Sequence, residues 1–348
     1  MSIHIEHLLV ELLNHTPAPD GPTLWIADEA LTHAELQAAR PRKGLDVLSN
    51  RYDLATALRQ AGHQVSVSDF DFSSLPCQEY SNIVYRVSKE RPLVHHCINQ
   101  AVRHLCDGGN LHLIGSKDEG IRTHGRNAEQ AFATPEHAKK HGDAYHVRLT
   151  REAGADTRLL DSKHYDELRT CTVGGFHFLS KPGVFGWNKV DTGSAMLAEQ
   201  ALRLLERRKA AGSVLDLGCG YGYLLLATST VHFGKRVATD NNAAAVDAAR
   251  AGFARAHLEV EVTLDDCGEQ LQGPFDWILC NPPFHQGFDT SSGLTEKFLQ
   301  QIRRLLAPQG HALVVVNQFI PIERMAGELF ARVDVLCHEH GFKVVQLS

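Results

Sequence analysis

Short apolar runs alternate along this chain with longer segments in which apolar residues recur every three or four positions. The short runs lie at residues 23–27, 45–48, 65–68, 83–87 and 111–114, and again at 214–217, 236–240, 260–264, 275–280 and 312–316. Runs of this length are typical of buried strands, and the wider spacing is typical of helices. Strands that alternate with helices predict an α/β protein with a wound, mostly parallel sheet.

The pattern occurs twice. A helical segment at 93–105, a glycine pair and the run 111–114 parallel the helical segment 297–305, Gly310 and the run 312–316. We therefore predict two domains, residues 1–160 and 165–348, joined by a polar junction that includes 137–141 and 151–161. Past the junction, Gly174-Gly175 predicts a hairpin turn, and Asp191 predicts the start of a helix that runs to about residue 209.

The run that begins at Val214 leads into a glycine-rich turn. Asp216 is followed by Gly218, Gly220 and Gly222, and helical residues come next. Glycine allows backbone angles and ligand distances that a Cβ atom would prevent, so strand, turn and helix in this order predict a cofactor-binding turn. The turn lacks the Gly-Lys-Ser/Thr ending of a phosphate-binding P-loop.

Two further predicted strands end in acidic residues. Asp240 lies 24 residues after Asp216, where a carboxylate can bind ribose hydroxyls; capping of the next helix is the alternative role. The run 260–264 is followed by Asp265, Asp266 and Cys267. An aspartate here can accept a hydrogen bond from an adenine amino group, with a backbone N–H donating to the ring. We favour Asp266 with Cys267 over Asp265.

The run 275–280 stops at Asn281-Pro282-Pro283-Phe284. Two prolines fix the backbone and remove two N–H donors, so this loop is predicted to be stiff. The Asn281 side-chain oxygen and the Pro282 carbonyl can accept both hydrogens of an exocyclic amine, and Phe284 can stack on a planar base. The alternative is a proline-stiffened loop without a ligand.

These motifs resemble those of a known enzyme class. The pattern D-x-G-x-G-x-G is similar to motif I of class I S-adenosylmethionine (SAM) methyltransferases, and N-P-P-F is similar to motif IV of those that methylate amino groups. Nearly the whole chain resembles the small-subunit ribosomal RNA guanine-N2 methyltransferase C (RsmC) family, through the motifs above and through Pro182-Gly183-Val184-Phe185, Asp191-x-Gly193-Ser194, His285 and Asn317.

The resemblance implies transfer of a methyl group from SAM to N2 of one guanosine in small-subunit rRNA. It also implies two tandem Rossmann-like methyltransferase domains with seven-stranded sheets, in which the last strand inserts antiparallel. We therefore expect Asn281, Pro282 and Phe284 to be catalytic. The expected cofactor-binding residues are Asp216, Gly218, Gly220, Gly222, Asp240, Asp266, Cys267 and Asn281.

The first half lacks both motifs. Residues 48–52 (Leu-Ser-Asn-Arg-Tyr) stand where the glycine turn is expected, and Arg86-Val87-Ser88-Lys89 stands in place of the second motif. Without glycines a ligand cannot approach the backbone closely. This half is interpreted as a copy without cofactor that serves stability or RNA docking.

Composition limits the remaining functions. The 348 residues carry a formal net charge of −6, so an RNA partner has to meet local basic patches rather than a global positive field. Eight cysteines without C-x-x-C pairs predict reduced thiols and a cytoplasmic protein. No signal peptide or membrane span is expected from the sequence. No metal site is expected either, because His95, His96, Cys97, His104 and Cys106 share one predicted helix.

The motifs leave other activities open. One is methylation of a guanine in large-subunit rRNA, and another is methylation of an adenine or of a protein glutamine. A third is a non-catalytic RNA-binding factor in ribosome assembly that keeps the fold. Oligomeric state is open as well, with a monomer as the simplest expectation.

Overall fold

The computed structural model describes residues 3–15, 21–31, 33–135, 137–208, 211–283 and 292–348. The chain divides into an N-terminal unit, residues 1–167, and a C-terminal unit, residues 168–348. Each unit has its own hydrophobic core.

The N-terminal unit is built from five helices and seven strands within the described ranges, besides a single 3₁₀ turn at Lys117–Glu119. In chain order they are α1 (Ile3–His15), β1 (Thr23–Ala27), α2 (His33–Ala38), β2 (Leu45–Ser49), α3 (Tyr52–Gln60), β3 (Gln64–Val67), β4 (Tyr80–Arg86), α4 (Arg91–His104), β5 (Leu105–Ser116), α5 (Ile121–Phe132), β6 (His137–His141) and β7 (Ala144–Thr150).

The C-terminal unit starts with a hairpin and continues with the same succession of elements. They are β8 (Arg169–Val173), β9 (Phe176–Ser180), α6 (Thr192–Arg207), β10 (Ser213–Leu217), α7 (Tyr223–Ala227), β11 (Lys235–Asp240), α8 (Ala243–Arg255), β12 (Glu261–Leu264), β13 (Phe275–Cys280), α9 (Ser292–Leu305), β14 (Leu306–Asn317), α10 (Ile322–Gly327), β15 (Val333–Glu339) and β16 (Phe342–Leu347).

Both units contain a seven-stranded sheet with one topology. The strand orders are β3-β2-β1-β4-β5-β7-β6 and β12-β11-β10-β13-β14-β16-β15, and in each the first five strands are parallel. The last strand inserts antiparallel before the edge strand. A shift in strand register also recurs at equivalent places, between Tyr80 and Asn82 in β4 and between Phe275 and Trp277 in β13. The predicted duplication and the antiparallel insertion are confirmed.

Alternate residues of the C-terminal strands enter two cores. Val214 packs in the cluster formed with α6, α7 and α8, whereas Leu215 and Leu217 pack in the cluster formed with α9 and α10. A parallel sheet that is covered on both faces needs apolar residues in both directions, which explains why its strands read as continuous apolar runs. Its carboxyl edge is left for ligands.

The prediction was wrong or incomplete in several parts of the N-terminal unit. Helices α1, α2 and α5 were not predicted, and residues 137–141 form strand β6 rather than part of a polar junction. Residues 48–52 follow β2, which occupies the place of β11, so they are not the counterpart of the glycine turn. That counterpart follows β1 and starts at Asp28.

Two observations concern the environment of the chain. Within the described ranges, no helix combines the length and the apolar character needed to cross a bilayer. All eight cysteines carry free thiols.

Candidate active site at the carboxyl edge of the C-terminal sheet

The predicted site segments leave the sheet at one edge. Strand β10 is central, and its last residue, Leu217, pairs with Cys280 of β13 and with Thr239 of β11. Asp240 in turn pairs with Leu264, the last residue of β12. Because these strands are parallel, the glycine turn, Asp240, residues 265–267 and Asn281 all emerge on the same side, where wound sheets bind ligands.

The glycines of the turn are needed for different reasons. All three have positive φ, +79° at Gly218, +54° at Gly220 and +87° at Gly222. A Cβ atom at Gly222 would lie 2.5 Å from the Phe253 ring, whereas one at Gly220 would meet no atom within 4 Å. Gly222 therefore allows helix α8 to pack closely, and Gly220 leaves space above the turn.

Asp216 is fully buried beneath the turn, and neither carboxylate oxygen has a well-formed hydrogen bond among the described residues; the backbone N–H of Leu225 offsets only part of the effect of burial on its pKa. Burial, and secondly the charge of Asp240, raise the pKa of Asp216 to about 8. A buried acid in this state favours a positively charged neighbour, because such a neighbour stabilises the ionised form. The site is therefore suited to a cationic ligand.

Asp240 is held at the rim of the site by backbone groups. Its Oδ2 accepts a hydrogen bond from Gly220 N (2.8 Å), and its Oδ1 accepts one from Asn242 N (3.0 Å). The cap of α8 is Asn242, whose side chain accepts from Ala244 N. Asn242, and not Asp240, is therefore the cap of this helix. The half-buried carboxylate of Asp240 instead links the glycine turn to the end of β11.

The two aspartates after β12 differ in their surroundings. Asp265 is buried, and its Oδ2 accepts from Gln270 N (2.9 Å), so it organises the following loop. Asp266 is 23% exposed, and its Oδ2 lies 2.6 Å from Lys297 Nζ of α9. Cys267 has φ +54°, and burial raises the pKa of its thiol. Of the two aspartates, Asp266 is the one presented at the surface, and its partner Lys297 has no signal in the sequence.

The side chain of Asn281 is fixed by two residues at the start of α6. Its Nδ2 donates to Oδ2 of Asp191 (3.1 Å) and to Oγ of Ser194 (2.8 Å). A carboxylate only accepts, so the amide nitrogen has to face Asp191. The amide oxygen therefore points away from α6, and it receives no hydrogen bond from the described part of the chain. Pro282 is buried and Pro283 exposed.

Asp191 and Ser194 were predicted as a helix start and as part of a motif shared with the RsmC family, and the helix start is confirmed. The Asp191 side chain accepts from Ser194 N at 2.9 Å, as an N-cap does. The same carboxylate oxygen also accepts from Asn281. Helix capping and the orientation of Asn281 thus depend on one group, a link that sequence spacing alone does not contain.

Residues 181–191, named here the bridging segment, are bound to three parts of this edge. Gly183 O accepts from Asn242 Nδ2 (3.0 Å), Lys189 O accepts from Tyr221 Oη (3.1 Å), and Asp191 binds Asn281. Between the first two attachments the Phe185 ring is 74% exposed. The segment thus presents an aromatic side chain to solvent.

Of the predicted residues that remain, Asn317 belongs to the described part of the chain. Phe284 and His285 fall outside the described residues. Asn317 ends β14, and its Oδ1 accepts from Phe319 N (3.1 Å), so it shapes the turn after that strand. The Phe319 ring is 84% exposed.

The available side chains indicate what chemistry the edge supports. Burial raises the thiol pKa values of Cys219 and Cys280 well above the ordinary range, so these thiols are not nucleophiles at neutral pH. Among the described residues, no three histidines, cysteines or acids are grouped to hold a metal. What the edge offers is hydrogen-bond acceptors and a buried acid, Asp216, whose ionised form a cationic ligand would favour.

Sequence comparison identifies both units. The profile of the methyltransferase small domain matches residues 175–346, and the profile of its N-terminal companion domain matches residues 22–158. The chain belongs to the methyltransferase small-domain family. Curated relatives called ribosomal RNA small subunit methyltransferase C are 27% identical in Shewanella loihica, over 84% of this chain and 90% of the relative, and 28% identical in Actinobacillus succinogenes, over 92% and 93%.

A solved structure extends the comparison to the fold. The 16S rRNA N2 methyltransferase RsmC of T. thermophilus, determined in complex with AdoMet and guanosine, superposes with a TM-score of 0.81 at 24% identity. The alignment covers 98% of this chain and 91% of that chain. This likeness shows a shared fold, and the family profiles and curated relatives identify the chain as a SAM-dependent methyltransferase of the RsmC family.

In the N-terminal unit of this methyltransferase, the corresponding edge is occupied by the protein itself. Tyr85 pairs with Ile26 as Cys280 pairs with Leu217, so Arg86 stands at the place of Asn281. The Arg86 guanidinium donates to Ala30 O and lies 3.3 Å from Glu119 Oε1. The counterpart of the glycine turn contains no glycine. A side chain therefore crosses the space that is left open in the C-terminal unit.

Proposed function

We propose that this enzyme transfers a methyl group from SAM to the exocyclic N2 of a guanosine in 16S-type rRNA. The observation that carries the proposal is the geometry of Asn281. Its amide nitrogen is bound by Asp191 and Ser194, and it emerges beside the glycine turn because Leu217 pairs with Cys280. The names of the relatives supply the substrate, a guanosine in 16S rRNA.

The residues at the edge fit SAM. This cosubstrate supplies an electrophilic methyl group on a positively charged sulfonium, and it carries a second positive charge on its amino group. The buried carboxylate of Asp216 lies under the turn, and the open space above Gly220 leaves room for a close ligand. In this proposal Asp240 binds the ribose hydroxyls, and Asp266 with the Cys267 N–H binds the adenine edge.

The chain contributes orientation rather than a strong base. The two N–H groups of the guanine amine donate to Asn281 Oδ1 and to the Pro282 carbonyl, which restricts the nitrogen to one direction of attack. Pro282 and Pro283 keep that carbonyl in place because their φ angles are fixed. Phe284 is proposed to stack on the base, which has to be unpaired or extruded to reach the site.

The remaining assignments follow from the two-unit chain. We propose that the N-terminal unit supports stability or RNA docking, because its own edge is filled by Arg86. One copy of the chain supplies both the turn and the Asn281 loop, so a monomer is sufficient for the site. The proposed substrate is rRNA within the small ribosomal subunit or one of its assembly intermediates, in the cytoplasm.

Nucleoside analysis tests the acceptor. Small subunits and, in parallel, large subunits from cells that lack this protein are incubated with the enzyme and isotopically labelled SAM, and their RNA and protein are then digested separately. We expect labelled N2-methylguanosine at the guanosine that corresponds to position 1207 of the T. thermophilus substrate. Label in large-subunit rRNA, in adenine or in protein glutamine would establish one of the alternative acceptors instead. Absence of any label would contradict an enzymatic role.

A further inference from the structure

A basic cavity lies in the N-terminal unit, in a different unit from the methyl-transfer site. It measures about 310 Å³ and opens between α5 and the last two strands of the sheet. Its lining residues are Arg122, Arg126, Ala138, Lys140, Tyr145 and Val147.

The sheet register explains why these residues face one another. Lys140 of β6 pairs with Tyr145 of β7, and Ala138 pairs with Val147, so all four side chains lie on the same face of the strand pair. Arg122 and Arg126 are one turn apart on α5, which packs on β7. Three cationic side chains thus surround an apolar surface formed by Ala138, Val147 and the Tyr145 ring.

These cations are available to a partner. Arg122, Arg126 and Lys140 are all exposed, and none of them forms an ion pair with the part of the chain that the structure describes. No acidic residue is among the described residues that line the cavity. Because the whole chain is acidic, this patch is a local exception to its charge.

The reverse face of the same strand pair is also basic. Lys139 of β6 and Arg148 of β7 are exposed there. Burial, and then the charges of His141, Arg148 and Lys139, lower the pKa of the neighbouring His146 to about 4. This histidine is neutral at pH 7, so it adds no charge to the patch, and Lys139 and Arg148 supply positive charge on this face.

The fold does not require this charge. The topologically equivalent edge of the C-terminal unit is strand β15, which carries Asp334 and Glu339. Helix α10, the counterpart of α5, presents Glu323 to Lys343 in an ion pair. Lysines on an edge strand also discourage pairing with other sheets, but that role explains neither the two arginines on α5 nor the cavity.

We propose that Arg122, Arg126 and Lys140 bind the phosphodiester backbone of the RNA substrate, an inference that rests on the proposed function. Each arginine guanidinium can bind a phosphate through two parallel N–H groups, and the Lys140 ammonium adds a point charge. The half-buried Tyr145 can donate its hydroxyl to a phosphate oxygen. Backbone contacts of this kind position an RNA without reading its sequence, which leaves base selection to the C-terminal unit.

Charge reversal tests the proposal. The double variant Arg126→Glu/Lys140→Glu is compared with the wild type and with Lys43→Glu, an exposed lysine of the same unit in the loop before β2. Binding to small-subunit particles and to protein-free 16S rRNA is measured without SAM at several salt concentrations. SAM binding and thermal melting are measured on the same proteins.

We expect the double variant to bind both RNA substrates at least about tenfold more weakly, with a salt slope reduced by about 1.4–1.8, since each of the two lost phosphate contacts removes about 0.7–0.9 from it. SAM affinity and melting should match Lys43→Glu. Unchanged RNA affinity and salt slope would overturn the proposal, as would a loss confined to particles, which would indicate contact with a ribosomal protein. If the wild type binds RNA through this patch but transfers no methyl group, the proposed function is wrong while the RNA-binding role of the patch is supported.

Discussion

Asn281 Nδ2 lies 3.1 Å from Oδ2 of Asp191, and this carboxylate also caps helix α6. The pair joins the loop after β13 to a helix that begins 90 residues earlier in the chain. Since Asp191 can only accept hydrogen bonds, it determines which end of the amide faces the substrate. A structural cap and the orientation of the proposed catalytic amide are therefore one feature.

Ser194 allows this orientation to be tested without removing the cap. In Ser194→Ala, Asn281 loses one of its two acceptors while Asp191 remains. We expect kcat to fall about tenfold, with SAM affinity and melting temperature little changed, because the contact acts through Asn281. Ser194→Thr keeps a hydroxyl and should restore most of kcat. Equal losses in both variants would indicate that the site is sensitive to packing rather than to the hydrogen bond.

The raised pKa of Asp216 predicts a pH dependence of stability. The folded state keeps this carboxyl protonated up to about pH 8, whereas the unfolded chain ionises near 3.8. The contribution of Asp216 to stability is therefore complete below pH 3.8 and is lost as pH rises to about 8, by at most about 1.4 kcal/mol per pH unit. We expect Asp216→Asn to melt above the wild type at pH 8.5, and the difference to shrink at pH 5.

The same residue should make SAM binding depend on pH. A cationic ligand favours ionised Asp216, so wild-type affinity should rise with pH up to about 8 and then level off. Asp216→Asn should bind SAM more weakly with a flatter profile. Calorimetry in buffers of different ionisation heat measures the released proton. A pH-independent affinity for the wild type would contradict the role given to this carboxylate.

Two glycines of the turn should respond differently to alanine. Gly222→Ala places a Cβ 2.5 Å from the Phe253 ring at a φ of +87°, and we expect the protein to be destabilised by about 2–3 kcal/mol. At Gly220 the space is open, so Gly220→Ala should cost only about 1 kcal/mol from its φ of +54°. Its main effect should be weaker SAM binding. Denaturant unfolding and calorimetry separate the two, and equal destabilisation would contradict this interpretation of the turn.

Much of the C-terminal unit could be predicted from its sequence because its signals are local. Apolar runs fix the strands, and glycines and prolines fix the turns. Two pairings could not be predicted, since the tertiary fold makes them: Asn281 with Asp191, and Asp266 with Lys297. Edge strand β6 was missed because its His-Ala-Lys-Lys-His sequence lacks the apolar alternation of a half-buried strand.

The N-terminal unit shows where a sequence repeat misleads. Residues 48–52 were matched to the glycine turn by their position after an apolar run, but parallel sheets order strands differently from the chain. The pairing of Ile26 with Tyr85 shows that the counterpart follows β1. Arg86 was correctly predicted to occupy the position equivalent to the second motif. Its contacts with Ala30 and Glu119 could be seen only in the structure.

Single-turnover methylation by Asn281→Ala, with SAM affinity measured on the same protein, tests the role proposed for Asn281. Because Asn281 is proposed to orient the amine rather than to hold the glycine turn, we predict that N2-methylguanosine formation falls by at least about a hundredfold while the SAM dissociation constant stays within about threefold of the wild type. Formation of N2-methylguanosine at the wild-type rate would contradict the central claim.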